Sequence, residues 1–327
     1  MNGWEQWVHR PQRFWLRRAL FQVHLWGGLA LGLYVLVVCL SGSAAVFNSE
    51  LYAYFLPRPK PVVIAGKRMD RTEVRVAAQR AYPNAKVTRV LDYHDPQLAD
   101  VVTLGIGVNA PQRFFDPYTG KDVGNARPLG LQMVSWFSQM HMNLMMGYPG
   151  RLANGVGGFL TALLTLTGLV LWWPGIRRWR DCLMIRTKAT PKRLNWQLHT
   201  VIGFWTFAIC FMWCLTGGYL VFPRRIDDAI HRYIAVPMGW KFNFARITHS
   251  IHVGDFAGWP MKAIWVVLGL VPPFLLVTGF IMWWNRVITP WRKRASVDRL
   301  SAPDSGAGAE KAGSPITEPV FEADSGS

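Results

Sequence analysis

Four long apolar blocks constrain the fold of this chain more than any other feature of its sequence. Each block is 22 to 28 residues long and almost free of charge. A helix of that length crosses a hydrocarbon core of about 30 Å. The blocks occupy residues 20–47, 152–173, 197–222 and 261–284. A soluble enzyme is therefore excluded, and we predict an all-α membrane protein with four transmembrane helices.

The basic residues indicate how these helices are oriented. Residues 1–19 carry four arginines, residues 174–196 carry seven Lys or Arg, and residues 285–299 carry five. The longer segments 48–135 and 223–259 carry basic residues at about half that density. By the positive-inside rule, both termini are expected in the cytoplasm and the two longer segments on the periplasmic or exterior side. This also accounts for the formal net charge of +17 without a nucleic-acid partner.

The segment from 50 to 135 is long enough to form a small domain of its own. Residues 71–81 have a helical composition, and residues 86–91, 101–108 and 113–115 have the apolar and β-branched character of strands. The last strand leads into a predicted turn, Asp116-Pro117-Tyr118-Thr119-Gly120. We therefore predict a small α+β domain outside the membrane. Residues 296–327 are rich in Ser, Gly, Ala, Pro and Glu and are expected to be disordered.

An internal repeat relates the two halves of the chain. Blocks one and three share the pattern His-x3-Gly-x12-Ser/Thr-Gly, found at His24, Gly28, Ser41 and Gly42 and again at His199, Gly203, Thr216 and Gly217. Blocks two and four, with the residues before them, share His-x7-Pro-x17-Thr-Gly-x3-Trp-Trp, beginning at His141 and at His252. We therefore predict a duplicated helical hairpin with a pseudo-two-fold axis along the membrane normal. The α+β domain is inserted into the first copy only.

The repeat selects four histidines and places them in two layers. It pairs His24 with His199 near the cytoplasmic face and His141 with His252 near the periplasmic face. A lone ionisable residue in a bilayer serves as a proton relay or as a satisfied polar contact. Paired imidazoles across a helix bundle are the arrangement that holds b-type haem between two axial nitrogens. We therefore predict two haem b groups, each with two histidine ligands, and an electron path across the membrane.

Four glycines on the histidine faces of these helices are consistent with a flat ligand. Gly28 and Gly203 lie one helical turn beyond the histidines of their own helices. Gly42 and Gly217 come 18 residues after the same histidines, or about 27 Å along the helix, on the same face. For any single glycine, close helix packing in lipid is the alternative. Interhelical hydrogen bonding is an expected role for Ser41, Thr167, Thr216 and Thr278.

Other polar and sulfur-containing side chains leave alternatives open. His249 precedes His252 by one turn and could replace it as a ligand, but its counterpart in the repeat is Ser138. Four methionines surround His141, and they suit either copper(I) binding or flexible packing: Met140, Met142, Met145 and Met146. The cationic candidates for partners of haem propionates are Arg17, Arg18, Lys192 and Arg193 inside and Arg151, Arg224 and Arg246 outside.

Taken together, these motifs resemble a known family. The Arg-rich lead into His24, the Ser/Thr-Gly pairs, the Asp116-to-Gly120 turn and the spacing from His141 to Trp172-Trp173 resemble the PepSY-associated transmembrane family. Within it the chain is similar to the FoxB-type inner-membrane ferric-siderophore reductases. The resemblance implies a periplasmic PepSY-like domain, haem ligation by the four paired histidines, and a multi-pass protein of the bacterial inner membrane. It also implies reduction of ferric siderophores on the periplasmic side for iron uptake.

This interpretation divides the chain into eight segments. The predicted segments are an N-terminus with the first transmembrane helix (1–49), the PepSY-like domain (50–135), a periplasmic lead-in with the second helix (136–173), a cytoplasmic loop (174–196), the third helix (197–222), a periplasmic loop (223–259), the fourth helix (260–284), and a cytoplasmic basic segment with the tail (285–327).

The electron donor and the substrate remain open at this stage. The cytoplasmic loops contain no Gly-rich nucleotide-binding loop, so a separate reductase or a quinol is expected to supply electrons. Membrane lipid is the other expected partner. Two further functions stay open: a copper or iron transporter that uses the Met-His cluster, and a sensor or protease regulator that acts through the PepSY-like domain.

Overall fold

The protein is mostly helical, with one small sheet. The computed structural model describes residues 3–9, 11–13, 15–107, 109–233 and 244–291. Its α-helices are α1 (Gly3–His9), α2 (Trp15–Ala45), α3 (Asn48–Phe55), α4 (Arg71–Ala81), α5 (Leu129–Asn143), α6 (Gly147–Trp172), α7 (Pro191–Val221), α8 (Pro223–Tyr233), α9 (Phe244–Val253), α10 (Gly258–Gly269) and α11 (Val271–Trp283). Its strands are β1 (Val87–Leu91), β2 (Asp100–Leu104), β3 (Gln112–Phe115) and β4 (Asp122–Asn125). The tail predicted to be disordered, residues 296–327, lies outside the described residues.

Four stretches are long and apolar enough to cross a membrane, which makes this a multi-pass membrane protein. They are Trp15–Ala45, Gly147–Trp172, Pro191–Val221 and Asp255–Trp291. The first three helices begin five or six residues before the apolar blocks, because helical hydrogen bonding continues beyond the hydrocarbon. Proline sets two of the ends. Pro191 stands at the start of α7, where its missing N–H costs nothing, and Pro174 follows the last residues of α6.

The fourth span differs from the uninterrupted helix that its hydropathy predicts. Helix α10 ends at Gly269 and α11 begins at Val271, so the helix is interrupted at Leu270. The two prolines that follow, Pro272 and Pro273, cannot donate the backbone hydrogen bonds that a continuous helix needs at these positions. The break precedes the part of α11 that contacts α7 through Thr278.

The sheet domain is an antiparallel meander with one helix. Its four strands pair in the order β1-β2-β3-β4. Helix α4 occupies the residues predicted for it, Arg71–Ala81, and begins with a capping box formed by Asp70 and Glu73. Val74 and Ala78 of α4 pack on the sheet in a core completed by Val87, Val90, Val102, Leu104 and Phe115. The predicted Asp116–Gly120 turn is present, since Thr119 Oγ1 donates to Asp116 Oδ2 at 2.7 Å and Gly120 has φ of 67°.

Two details of the sheet were not predicted. Strand β2 ends at Leu104 rather than at Val108, because Gly105 and Gly107 adopt positive φ angles of 97° and 103°. Val108 itself lies outside the described residues. The fourth strand, Asp122–Asn125, was missed because it is short and contains a glycine.

Helices α3 and α5, which precede and follow the sheet domain in the chain, contact each other, and α3 also contacts α10. Ser138 of α5 donates to Asn48 Oδ1 of α3 at 2.8 Å. Lys262 of α10, whose side chain is only 8% exposed, lies 2.6 Å from the carboxylate of Glu50 on α3. Helix α5 also packs against α2 and α6. Helix α5 follows the sheet domain in the chain and places His141, near its end, beside α2.

Candidate functional site

The structure brings the four predicted histidines together in two pairs. His24 of α2 and His199 of α7 have ring centroids 6.4 Å apart, with an angle of 82° between the ring planes. His141 of α5 and His252 of α9 have ring centroids 6.0 Å apart, with an angle of 39°. Each pair therefore joins one histidine from each copy of the sequence repeat.

Threonine hydroxyls hold the Nδ1 atoms of the first pair. His24 Nδ1 lies 2.9 Å from Thr167 Oγ1 and 3.1 Å from the carbonyl oxygen of Leu164, both on α6. His199 Nδ1 lies 2.9 Å from Thr278 Oγ1 on α11. Both hydroxyls donate to a carbonyl of their own helix, at 2.7 Å for Thr167 and at 3.0 Å for Thr278. Each hydroxyl oxygen is therefore an acceptor toward its imidazole.

The second pair is held in the same way on one side and differently on the other. His252 Nδ1 lies 2.8 Å from Thr216 Oγ1, whose hydroxyl donates to the carbonyl of Met212 at 2.8 Å. His141 Nδ1 instead meets the carbonyl oxygen of Val38 at 2.9 Å. Ser41, which matches Thr216 in the repeat, donates to carbonyls of its own helix. A carbonyl only accepts, so His141 also donates through Nδ1.

These partners determine the tautomer of all four rings. With the proton on Nδ1, the lone pair of each neutral imidazole is on Nε2. Across the described ranges, the hydrogen bonds of these rings engage Nδ1 and leave Nε2 without a partner. Histidines that ligate metals are normally held by the other ring nitrogen in this manner. Each pair therefore offers two Nε2 lone pairs as ligands.

Gly42 and Gly217 lie against the rings of the second pair. A Cβ atom at Gly42 would stand 2.7 Å from Cε1 of His141, and one at Gly217 would stand 3.4 Å from Cε1 of His252. The sequence places these glycines at this end of the bundle, where they were expected to give clearance to a flat ligand. In the structure the missing side chains make room for the imidazoles, and clearance for a ligand at these glycines stays a prediction.

The first pair has equivalent glycines, which the sequence argument did not single out as site residues. A Cβ atom at Gly168 would lie 3.0 Å from Cε1 of His24, and one at Gly279 would lie 3.2 Å from Cε1 of His199. Both glycines directly follow the threonines that hold these rings. Each Ser/Thr-Gly dipeptide of the repeat therefore lies beside one histidine, and this shared pairing was the signal that could have identified them.

Gly28 borders open space near the first pair, whereas Gly203 packs against Leu275. A Cβ atom at Gly28 would meet no heavy atom within 4 Å, and the nearest atom to one at Gly203 is 3.8 Å away, on Leu275. Gly28 lies one turn beyond His24 on the same face of α2, so the open space beside it is near that ring. Clearance for a planar ligand beside these glycines stays a prediction.

Spacing along α2 separates the two layers. His24 belongs to the first pair, and Val38, on the same helix, meets the second pair through His141. Fourteen residues of α-helix correspond to about 21 Å. The two pairs are therefore distinct sites at opposite ends of the helices.

The remaining candidates occupy other surroundings. His249 is exposed on α9, one turn before His252. Ser138, which occupies the position equivalent to His249 in the first copy of the repeat, donates a hydrogen bond to Asn48. Of the four methionines near His141, Met140 is half-buried, while Met142, Met145 and Met146 are 51%, 39% and 65% exposed.

Two of the candidate propionate partners are bonded to helix ends. Arg17 donates to carbonyl oxygens of Val170 and Trp173, the latter at 2.8 Å, near the end of α6. Arg151 donates to the carbonyls of Leu220 and Val221 at the end of α7, at 2.8 and 3.1 Å. These cations therefore compensate the negative end of a helix dipole.

Comparison with known proteins agrees with the architecture. The family described as the PepSY-associated TM region matches residues 21–239 and 231–286, which together include all four paired histidines. A search of curated proteins finds no significant match. Because the family match extends over most of the chain, this protein belongs to the PepSY-associated transmembrane family.

Proposed function

We propose that this protein is a transmembrane electron-transfer protein with two b-type haems, one between His24 and His199 and the other between His141 and His252. The observation that carries the proposal is the paired geometry of the imidazoles, each held through Nδ1. A metal–imidazole bond is about 2 Å long and the nitrogen lies about 1 Å from the ring centre, so two axial imidazoles have centroids about 6 Å apart. The observed separations of 6.4 and 6.0 Å fit that requirement.

The residues of each site have separate tasks. The imidazoles would hold the haem iron through Nε2, while Thr167, Thr278, Thr216 and the carbonyl of Val38 keep the proton on Nδ1 and fix the ring orientation. The glycines behind the rings permit the close approach of helix and imidazole. When bound, each haem would supply a one-electron redox centre, as bis-histidine haem does.

We further propose that the helices form a duplicated hairpin with a pseudo-two-fold axis along the membrane normal. Matched contacts in the two copies support this arrangement, because His24 meets Thr167 in the first copy as His199 meets Thr278 in the second. The basic loops favour an orientation with both termini in the cytoplasm and the sheet domain on the opposite side. The family resemblance implies the bacterial inner membrane, so that side is the periplasm. The first pair is then the cytoplasmic one and the second pair the periplasmic one.

The proposed reaction is the one-electron reduction of iron(III) held by a siderophore on the periplasmic side, for iron uptake. Iron(II) is a poorer match than iron(III) for hard oxygen ligands, so reduction loosens the complex. A cytoplasmic reductase or a quinol would provide the electron. The substrate is inferred from the family resemblance, whereas the two redox sites are inferred from the histidine geometry.

The decisive experiment is a haem count on the purified full-length protein. A pyridine haemochrome assay is expected to give two haem b per chain. When a ferric siderophore is added to the dithionite-reduced protein, the haem is expected to be reoxidised and the absorption spectrum to return to that of the oxidised form. A folded but colourless preparation would exclude the proposal. Metal bound without haem would favour the transporter, and the absence of both would favour the sensor or protease regulator.

The hydrogen bond between Thr216 and His252 provides a test of the second site alone. In Thr216→Val, His252 loses the acceptor for its Nδ1 proton, so haem affinity at this site is expected to fall about tenfold. Its reduction potential is expected to rise, because a less basic imidazole stabilises the ferric state less. The measurements are haem occupancy and a redox titration.

Ser41→Ala is the matched control for this variant. Ser41 occupies the equivalent position in the first copy, but His141 relies on the carbonyl of Val38 instead. Both haems and both potentials are therefore expected to be retained in Ser41→Ala. Equal effects in the two variants would show that the threonine hydroxyl does not act through the imidazole.

A further inference from the structure

Two buried indole N–H groups near the end of α6 have no acceptor among the described residues. The Nε1 atoms of Trp172 and Trp173 are shielded from solvent, and neither makes a hydrogen bond within the residues that the structure describes. An indole nitrogen only donates, and buried donors in proteins nearly always have an acceptor. Two such donors in consecutive residues therefore indicate a ligand that accepts hydrogen bonds.

These donors lie next to the first histidine pair. Trp172 is four residues beyond Gly168, on the same face of α6, and Gly168 lies against the His24 ring. The Trp172 ring stacks on Phe204 of α7 with a centroid distance of 3.8 Å. Phe204 directly follows Gly203, which lies one turn beyond His199 on α7. Trp172 is thus about one helical turn from the glycine that contacts His24, and Trp173 follows it directly in the chain.

A positive charge stands at the same place. The guanidinium of Arg17 bonds the backbone carbonyl of Trp173 at 2.8 Å. Among the ion pairs of the described residues, none provides a carboxylate for Arg17. In the part of the chain that the structure describes, the end of α6 therefore combines two N–H donors with a cation that faces carbonyl dipoles. An anionic acceptor is the ligand that this combination favours.

We propose that Trp172 and Trp173 donate to the carboxylate groups of the haem held by His24 and His199, with Arg17 supplying the compensating charge. This inference rests on the proposed function. Haem b carries two carboxylates on one edge, and a carboxylate is a pure acceptor when ionised. The two tryptophans are positioning residues, which retain and orient the cofactor without ligating its iron.

The test is the rate at which each haem leaves the holoprotein. Purified protein is mixed with an excess of a haem scavenger, and the Soret absorbance is followed with time. In the double variant Trp172→Phe/Trp173→Phe, one haem is expected to leave at least tenfold faster than in the wild type, because hydrogen bonds to a charged group are lost. The other haem, between His141 and His252, is expected to leave at the unchanged rate and reports that the protein is folded.

Two further variants remove the ambiguity of a packing effect. Replacing each indole by benzothienylalanine keeps the ring shape and removes only the N–H, and it is expected to accelerate the same haem. Trp26→Phe is the control on α2, since Trp26 is two residues from His24 but 55% exposed. It is expected to leave both rates unchanged.

The outcomes separate this inference from the function on which it rests. Unchanged loss rates in the double variant and in the benzothienylalanine protein would overturn the carboxylate assignment while two haems are still present. Acceleration of the same size in Trp26→Phe would overturn it as well. A wild-type preparation without haem would instead reject the proposed function.

Discussion

The His24→Ala variant is expected to contain one haem instead of two. Alanine removes one of the two nitrogens of the first pair and leaves His199 as a single ligand, 6.4 Å from where the partner ring stood. The second pair is about 21 Å away along α2 and keeps its own partners, so its haem is expected to remain. The pyridine haemochrome count should fall from two to one, and electron transfer across the membrane should be lost. His141→Ala should give the same count by emptying the other site.

His249→Ala is the control for this loss. His249 is also a histidine of the α9 segment, one turn from His252, but its side chain is exposed. The expected result is two haems per chain and an unchanged spectrum. Loss of a haem in His249→Ala with retention in His252→Ala would show that His249 is the ligand. Added imidazole should restore the missing band in His24→Ala, since it can enter the space that the alanine leaves.

The histidine pairs were predictable because two different spacings recur in the repeat. One begins at His24 and at His199, and the other begins at His141 and at His252. The spacing from His24 to Gly42 equals the spacing from His199 to Gly217, so both helices place equivalent side chains at equivalent depths. Two copies of one hairpin bring such positions together if they pack against each other. Each observed pair does contain one histidine from each copy. His141 and His252, however, lie on the shorter helices α5 and α9 rather than within the long spans.

The contacts that orient the rings were not predictable from spacing. Thr216 and Ser41 occupy the same position of the repeat, yet only Thr216 reaches an imidazole, because His141 finds the carbonyl of Val38 instead. The choice between a hydroxyl and a carbonyl depends on how each helix packs beside its histidine, which no sequence pattern records. The glycines were noted as clearance for a ligand for the same reason, since the sequence shows that space is needed but does not show for what.

The interruption of the fourth span shows where hydropathy and local chemistry diverge. Hydropathy sees only that the residues around Leu270 are apolar, and it predicts a continuous helix. Pro272 and Pro273 remove backbone donors, and the helix stops between α10 and α11. In a membrane such a break is tolerated because neighbouring helices cover it. The prolines were in the sequence, but their consequence depends on that packing.

The Gly42→Ala variant is expected to lose the haem of the second pair, whereas Gly217→Ala is expected to keep it. The two glycines are equivalent in the repeat, and each lies against one imidazole. A methyl group at position 42 would stand 2.7 Å from Cε1 of His141, closer than real Cβ contacts allow, so ring or helix must move. His141 has little freedom to retreat, because its Nδ1 donates to Val38 on the same helix as Gly42. The ring must therefore tilt away from His252, and the two nitrogens no longer face one site.

At position 217 the same methyl group would lie 3.4 Å from Cε1 of His252, which is an ordinary van der Waals contact. Both substitutions replace glycine by alanine inside a long helix, and each gains about 1 kcal/mol of helix propensity. That common gain cancels in the comparison, so any difference in haem count reports the ring contact. The expected counts are one haem per chain for Gly42→Ala and two for Gly217→Ala. Two haems in both variants would show that His141 can move without losing its ligand position, and the rigid holding of this imidazole would then have to be abandoned.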